Sequence, residues 1–218
     1  MTGLFVTATD TGVGKTWVAC ALARAAARRG LRVAAMKPCE TGDGDDGARL
    51  IEAAGRALDP ELARPYQFHL PASPEVAARA EGAVVDVARI EAAFARLTRD
   101  ADFTIVEGAG GLLVPVAPGV LMADLARRLA LPLLIVARAA LGTVNHTLLT
   151  IEAARARQLP IAGVVLCRAV ETAGPEEPTN PEAIAAWGHV PILGLFPHGR
   201  DGDAVADRVL DQIQPRAR

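Results

Sequence analysis

Short apolar runs rich in β-branched residues alternate along this chain with longer alanine-rich stretches whose apolar positions recur at helical spacing. The runs predict strands at about residues 3–8, 32–37, 103–107, 133–137, 161–167 and 192–196. The stretches between them predict helices at about 15–29, 46–55, 86–99, 121–130, 143–158, 180–187 and 203–213. Strands that are apolar on both faces suit a parallel sheet covered on both sides. Their regular alternation with helices signals βαβ units. The expected fold class is α/β, a doubly wound, mostly parallel sheet flanked by helices, in one domain over residues 1–218. Two proline-rich segments, 64–74 and 174–181, read as ordered loops over the sheet edge, and the polar tail 214–218 as frayed.

A chain of 218 residues buries roughly 70–75% of its unfolded surface, enough for a core without disulfide or metal staples. A net charge of −2 gives no broad field for nucleic acid or an anionic membrane, so the expected partners are small molecules or another protein. Cys20, Cys39 and Cys167 have no ligand-like spacing, which points to a reducing cytoplasm rather than a disulfide frame or zinc site. The apolar stretch 129–137 is interrupted by Pro132 and is too short to span a bilayer. No export signal or membrane anchor is expected.

Lys15 and Lys37 are the only lysines among 23 basic residues other than histidine. An ammonium is a compact point charge, whereas a guanidinium is a wide planar fork, so both positions read as sites that reject arginine. Lys15 stands in the run Ala8, Thr9, Asp10, Thr11, Gly12, Val13, Gly14, Lys15, Thr16, between the first strand and the helix that begins near Trp17. A glycine-bearing turn ending in Gly-Lys-Thr between strand and helix makes a nest of amides for phosphate. Its lysine reaches the β and γ phosphates and its threonine hydroxyl reaches Mg²⁺.

The spacing departs from the common GxxxxGK[ST] pattern, whose first glycine would fall at Thr9. The loop instead resembles that of the dethiobiotin synthetases, GTDTxVGKT, with Ala8 for the leading glycine. Alanine there requires only that the backbone not adopt φ > 0. Further stretches carry the resemblance in order: Lys37, Pro38, Cys39, Glu40, Thr41, Gly42 is similar to KPxxTG; Val106, Glu107, Gly108, Ala109, Gly110, Gly111 to VEGAGG; and Leu141, Gly142, Thr143, Val144, Asn145, His146 to LGTINH.

The resemblance implies a P-loop NTPase fold and an ATP-dependent cyclo-ligase. In that chemistry 7,8-diaminononanoate takes up CO₂ as a carbamate, ATP phosphorylates the carbamate oxygen, and the second amine closes the ureido ring, giving dethiobiotin, ADP and phosphate. Lys37, Lys15 and Thr11 would be catalytic, and Thr16, Asp46 and Glu107 would hold Mg²⁺. Thr41, Gly110, Gly111, Leu112, Gly142, Thr143 and Asn145 would bind substrate, the turn before Asn145 serving the other subunit of a homodimer. The nucleotide would lie along Gly12, Val13, Gly14, Lys15, Thr16 and Trp17, with Asp46, Glu107, Gly108, Ala109 and Gly110 beside its phosphates. Cys167, Arg168, Pro197, His198 and Gly199 would surround its base.

The residues leave several points open. Asp43 and Asp45 neighbour Asp46, which could also be an ordinary helix cap. Cys167 stands where the family has an asparagine facing adenine, and a thiol cannot make that amide pairing. His146 reads as structural. Two rivals share this P-loop branch, a cobyrinic-type amidating synthetase and a partitioning-type ATPase switch. The first would bring a glutaminase domain and the second an extra lysine among Thr9–Thr11, and the sequence shows neither. A regulatory GTPase would need Asn-Lys-x-Asp, also missing.

Overall fold

A computed structural model describes residues 2–168, 174–175, 177–199 and 202–213. In chain order the elements are β1 (Thr2–Ala8), α1 (Lys15–Arg28), β2 (Val33–Met36), β3 (Cys39–Thr41), α2 (Asp46–Ala53), α3 (Pro60–Ala63) and β4 (Tyr66–Phe68). Next come α4 (Pro74–Ala80), α5 (Val87–Leu97), β5 (Phe103–Glu107), β6 (Pro115–Ala117), β7 (Val120–Leu121) and α6 (Met122–Arg128). The described chain ends with β8 (Leu133–Arg138), α7 (Thr143–Ala156), β9 (Ile161–Cys167), α8 (Asn180–Gly188), β10 (Ile192–Phe196) and α9 (Asp203–Ile213).

Six strands form one parallel sheet in the order β10-β9-β8-β1-β5-β2. These are the six strands expected from the apolar runs. The sheet separates two apolar layers. Phe5, Met36, Val106 and Ile135 pack on one side with Ile90 of α5, Leu125 of α6 and Ile151 of α7. Leu4, Val6, Ile105 and Val136 pack on the other with Leu22 of α1, Leu50 of α2 and Val209 of α9. Helices on both faces and strands leaving β1 in both directions make the sheet doubly wound, and ligands of such sheets collect at the carboxyl ends of the strands near the reversal. Register brings the chemistry there: Met36 of β2 pairs with Val106 of β5, so Lys37 emerges beside Glu107.

Several short elements depart from the expectation. Segment 64–74 is not a plain loop, because Tyr66–Phe68 pairs in parallel with Cys39–Thr41, burying Cys39 and Phe68. Three-residue strands are too short to display a period, and the flanking prolines mask them further. β6 and β7 form an antiparallel hairpin around Gly119, whose φ of 72° suits glycine. α8 starts at Asn180, as the expected 180–187 helix requires, while residue 176 and the tail 214–218 lie outside the described residues. Ala8 is not among the described residues with positive φ, as its replacement of glycine requires.

Candidate functional site

The turn from β1 into α1 holds its shape through two glycines in left-handed conformations, Gly12 at φ 71° and Gly14 at φ 104°. Gly14 is needed twice over, since a Cβ there would stand 3.1 Å from Cys167 Sγ. Gly14 is the N-cap of α1, and no side chain caps that helix end. Its first amides are therefore available to an anion at the positive end of the helix dipole.

Above the turn opens a cavity of about 460 Å³. Thr11, Gly12, Gly14, Lys15, Thr16 and Trp17 line it from the loop and α1, and Lys37, Thr41, Asp46, Glu107, Ala109 and Gly110 from the opposite wall. Lys37 Nζ lies 2.6 Å from Glu107 Oε1 and 3.3 Å from Asp46 Oδ2. Thr16 Oγ1 donates to the same Glu107 oxygen at 2.8 Å. Lys15 Nζ donates only weakly, to the Asp10 carbonyl at 3.4 Å.

Burial, and then the charge of Lys37, lower the pKa of Lys15. Burial also opposes the charge on Lys37, but Glu107 and Asp46 outweigh it and raise that pKa. The cavity thus holds two ammonium groups, one neutralised by carboxylates and one left for an incoming anion. This is a charge pattern for a polyphosphate.

The oxygen set also fits a divalent cation. Glu107 is fully buried, yet its Oε2 has no hydrogen-bond partner. A buried, unpaired carboxylate oxygen beside a hydroxyl and a second carboxylate suits a hard cation. Among the described residues no group of three or more His, Cys, Asp or Glu could hold a metal unaided. Mg²⁺ characteristically keeps waters and shares its shell with substrate phosphates, so one hydroxyl and two carboxylates are a donor set that it accepts. Asp46, the first residue of α2, is the aspartate of its cluster that lines the cavity. Asp43 and Asp45 are exposed, and Asp45 stands 4.0 Å from Arg49.

A second cavity, about 350 Å³, lies between the loop and α7, lined by Asp10, Thr11, Gly111, Leu112, Leu149 and His146 among others. His146 lies on the wall of this cavity. Gly110 has φ 62°, and a Cβ there would meet Val114 at 2.8 Å. Gly108 instead serves packing, against Phe5 and Met122, and Val13 is buried. Gly142 caps α7 with φ 89°, Thr143 is buried with its hydroxyl unpaired, and Asn145 is exposed. None of these three lines either cavity.

The surroundings expected for the base need correction at Cys167. It is 2% exposed, behind Gly14, where burial pushes its pKa up to about 12. The side chain packs against Gly14 and is not among the residues lining the cavity. Arg168 is held by Glu177, its Nε 2.8 Å from Oε2. Pro197, His198 and Gly199 follow β10, whose Phe196 meets Trp17 edge to face at 5.7 Å. Three lining residues, Cys39, Glu40 and Arg49, had no assigned role from sequence. Arg49 is one helical turn beyond Asp45, but Glu40 carries no period that would mark it.

A protein-family profile described as an AAA domain matches residues 2–205. The ATP-dependent dethiobiotin synthetase BioD of Anaeromyxobacter dehalogenans (strain 2CP-C) is 52% identical over 202 residues, 90% of this chain and 90% of that protein. The protein of the same name from Aromatoleum aromaticum is 42% identical over 209 residues, 91% and 92% of the two chains. In three dimensions the chain is similar to the Pyrococcus furiosus cell division ATPase MinD, with TM-score 0.60, 17% identity and full coverage of both chains. It is also similar to a ParA family ATPase from Chlorobium tepidum TLS, with TM-score 0.55, 15% identity and 98% and 93% coverage. At such identities these two structures establish the nucleotide-binding fold alone. The sequence relatives, spanning nine-tenths of the chain, decide between the rivals that share it. By that similarity, and by the lysines, threonine and carboxylates gathered above its phosphate loop, this chain belongs to the ATP-dependent dethiobiotin synthetase family.

Proposed function

We propose that the cavity between Lys15, Lys37 and Glu107 binds the triphosphate of ATP and the carbamate of 7,8-diaminononanoate side by side. The activity, an ATP-dependent ligase reaction in biotin biosynthesis, follows from family membership. One observation carries the residue assignment: Lys37 is held by two carboxylates while Lys15, buried beside it, has only a weak carbonyl contact.

In this reading one substrate amine adds CO₂ to form a carbamate. The carbamate oxygen attacks the γ-phosphorus of ATP and ADP leaves. The second amine then attacks the carbonyl carbon of the mixed anhydride, expelling phosphate and closing the ring. No protein nucleophile is needed, so the side chains act by position and charge. Lys15 and the amides of α1 hold the β and γ phosphates, and Lys37 neutralises the carbamate and the moving phosphoryl group. Thr11 and Thr41 donate to phosphate and to the substrate nitrogen or carbamate. Thr16, Asp46 and Glu107 would hold Mg²⁺, which would supply charge neutralisation of the nucleotide when bound.

A homodimer belongs to the same reading. Leu113, Leu141 and Leu149 are exposed by 47%, 87% and 60%, and Leu113 and Leu149 line the second cavity. Exposed apolar side chains around a site suit an interface. The amides of Gly142 and Thr143 with Asn145 would then receive the substrate carboxylate bound to the other subunit. All three cysteines are free, as a reducing cytoplasm would keep them, and among the described residues no helix is long and apolar enough to cross a membrane.

The test is dethiobiotin formation from 7,8-diaminononanoate, bicarbonate and MgATP. ATP hydrolysis that ignores both co-substrates would refute the assignment of the cavity.

A further inference from the structure

Helix α2 begins with Asp46, yet its N-cap residue Asp45 makes no side-chain hydrogen bond to the helix. The cap comes from elsewhere in the chain. Glu40, in β3, is 2% exposed and accepts from the Gly47 amide, at 3.2 Å on Oε1 and 3.4 Å on Oε2. Arg64 Nη1 donates to Oε2 at 2.9 Å. The pairing of Cys39 with Tyr66 brings Glu40 and Arg64 together. Gly47 completes the fit, since a Cβ there would stand 2.7 Å from Arg64 Cδ and 3.1 Å from Glu40 Oε2.

A carboxylate with 2% exposure in a wall that must also accept phosphates is electrostatically unfavourable for substrate. Its position is explained by what it holds. The amide it grips follows Asp46 directly, so the grip fixes where α2 starts and where Asp46 Oδ2 points, 3.3 Å from Lys37. A negative charge at a helix N-terminus also favours the helix dipole.

We propose that Glu40, clamped by Arg64, is a positioning residue that caps α2 across the cavity wall and aims Asp46 at the metal bound with the nucleotide. The proposal rests on the reading of Asp46 as a Mg²⁺ ligand. Residues that orient a ligand commonly change metal affinity by about 10–100-fold when altered.

The experiment measures ADP binding by calorimetry in Mg²⁺ and in EDTA, for wild type, Glu40→Gln, Asp46→Asn and the double variant. The ratio of the two affinities isolates the metal-dependent part. Glu40→Gln should lower that ratio about tenfold while leaving metal-free ADP binding within about twofold. Adding Glu40→Gln to Asp46→Asn should produce little further loss, because both act through one ligand. If Asp46→Asn lowers the ratio and Glu40→Gln does not, the positioning role is refuted. If Asp46→Asn leaves the ratio unchanged, the ligand reading beneath it fails instead. Equal weakening of ADP binding with and without Mg²⁺ would mark Glu40 as a purely structural cap, also refuting the proposal. Should Glu40→Gln fold poorly with Arg64 left unpaired, Glu40→Gln/Arg64→Met removes the orphaned charge and carries the same comparison, with thermal melting as the folding control.

Discussion

Lys37 Nζ and Glu107 Oε1 meet at 2.6 Å inside the protein, the lysine side chain 5% exposed and the glutamate not exposed at all. The pair is set by strand register, and the ammonium sits between two carboxylates. A guanidinium at Lys37 would have to push its plane between Glu107 and Asp46, displacing the group that faces the phosphoryl. Lys37→Arg and Lys15→Arg should each lower turnover by at least about a hundredfold with melting temperature little changed, since stabilisers of a transferring phosphoryl are commonly worth about 3 kcal/mol. Steady-state kinetics on the folded variants checks this. Near-normal turnover in Lys37→Arg would show that the two surviving lysines reflect composition and not chemistry.

Lys15 is the less compensated of the two ammonium groups, and that has a pH signature. Burial and the charge of Lys37 lower its pKa below the ordinary 10.5. Between the lowered value and 10.5 the unfolded chain holds a proton the folded chain has lost, so its contribution makes stability rise with pH across that window. Lys37 has the opposite sign: its raised pKa adds stability that is fully present below 10.5 and lost as pH climbs through the raised value. Lys15→Met should therefore remove the rise in apo-protein stability and increase the melting temperature at neutral pH by about 2–4 °C. ADP should no longer stabilise that variant. An unchanged pH profile in thermal melts would contradict the assignment.

The large elements and the phosphate loop were legible because their signals are long or chemically distinctive. Six apolar runs became the six strands of the main sheet, and Gly14–Lys15–Thr16 became the start of α1. Asp46 separates from Asp43 and Asp45 only through the cavity wall, which Asp46 lines and the other two do not. Glu40 and Arg64 were not legible, since a three-residue strand pairing at Cys39–Thr41 has no period and places together residues distant in sequence. The place of Cys167 beside the base rests on the family's asparagine at that position, and a resemblance does not fix where a different side chain packs. The Cys167 thiol turns beneath Gly14 instead of into the cavity.

That placement gives a prediction on nucleotide choice. Cys167 offers no hydrogen bond to a base, and Arg168 is committed to Glu177. Losing a bidentate amide contact forfeits roughly 1–3 kcal/mol of selectivity, so GTP or CTP should support turnover within about tenfold of ATP. A nucleotide panel under identical Mg²⁺ concentration tests it. A preference for ATP beyond about a thousandfold would mean that backbone groups near Pro197–Gly199, or Arg168 released from Glu177, read the base.

The separation of Asn145 from both cavities sets the last prediction, which addresses the proposed homodimer. Lys37 follows β2, whereas Asn145 rides on the first turn of α7, exposed. In the proposed dimer the two act on one substrate from opposite subunits. Lys37→Ala and Asn145→Ala proteins should each be nearly inactive. Co-refolding equal amounts should nonetheless restore about a quarter of wild-type activity, because half the dimers are mixed and one of their two equivalent sites is intact. The remaining site in each mixed dimer carries both defects and contributes nothing. Mass spectrometry establishes that mixed dimers form, and thermal melts that both parents fold. No recovery under those conditions would show that each subunit completes its own pocket, leaving Asn145 with only a structural role in the first turn of α7.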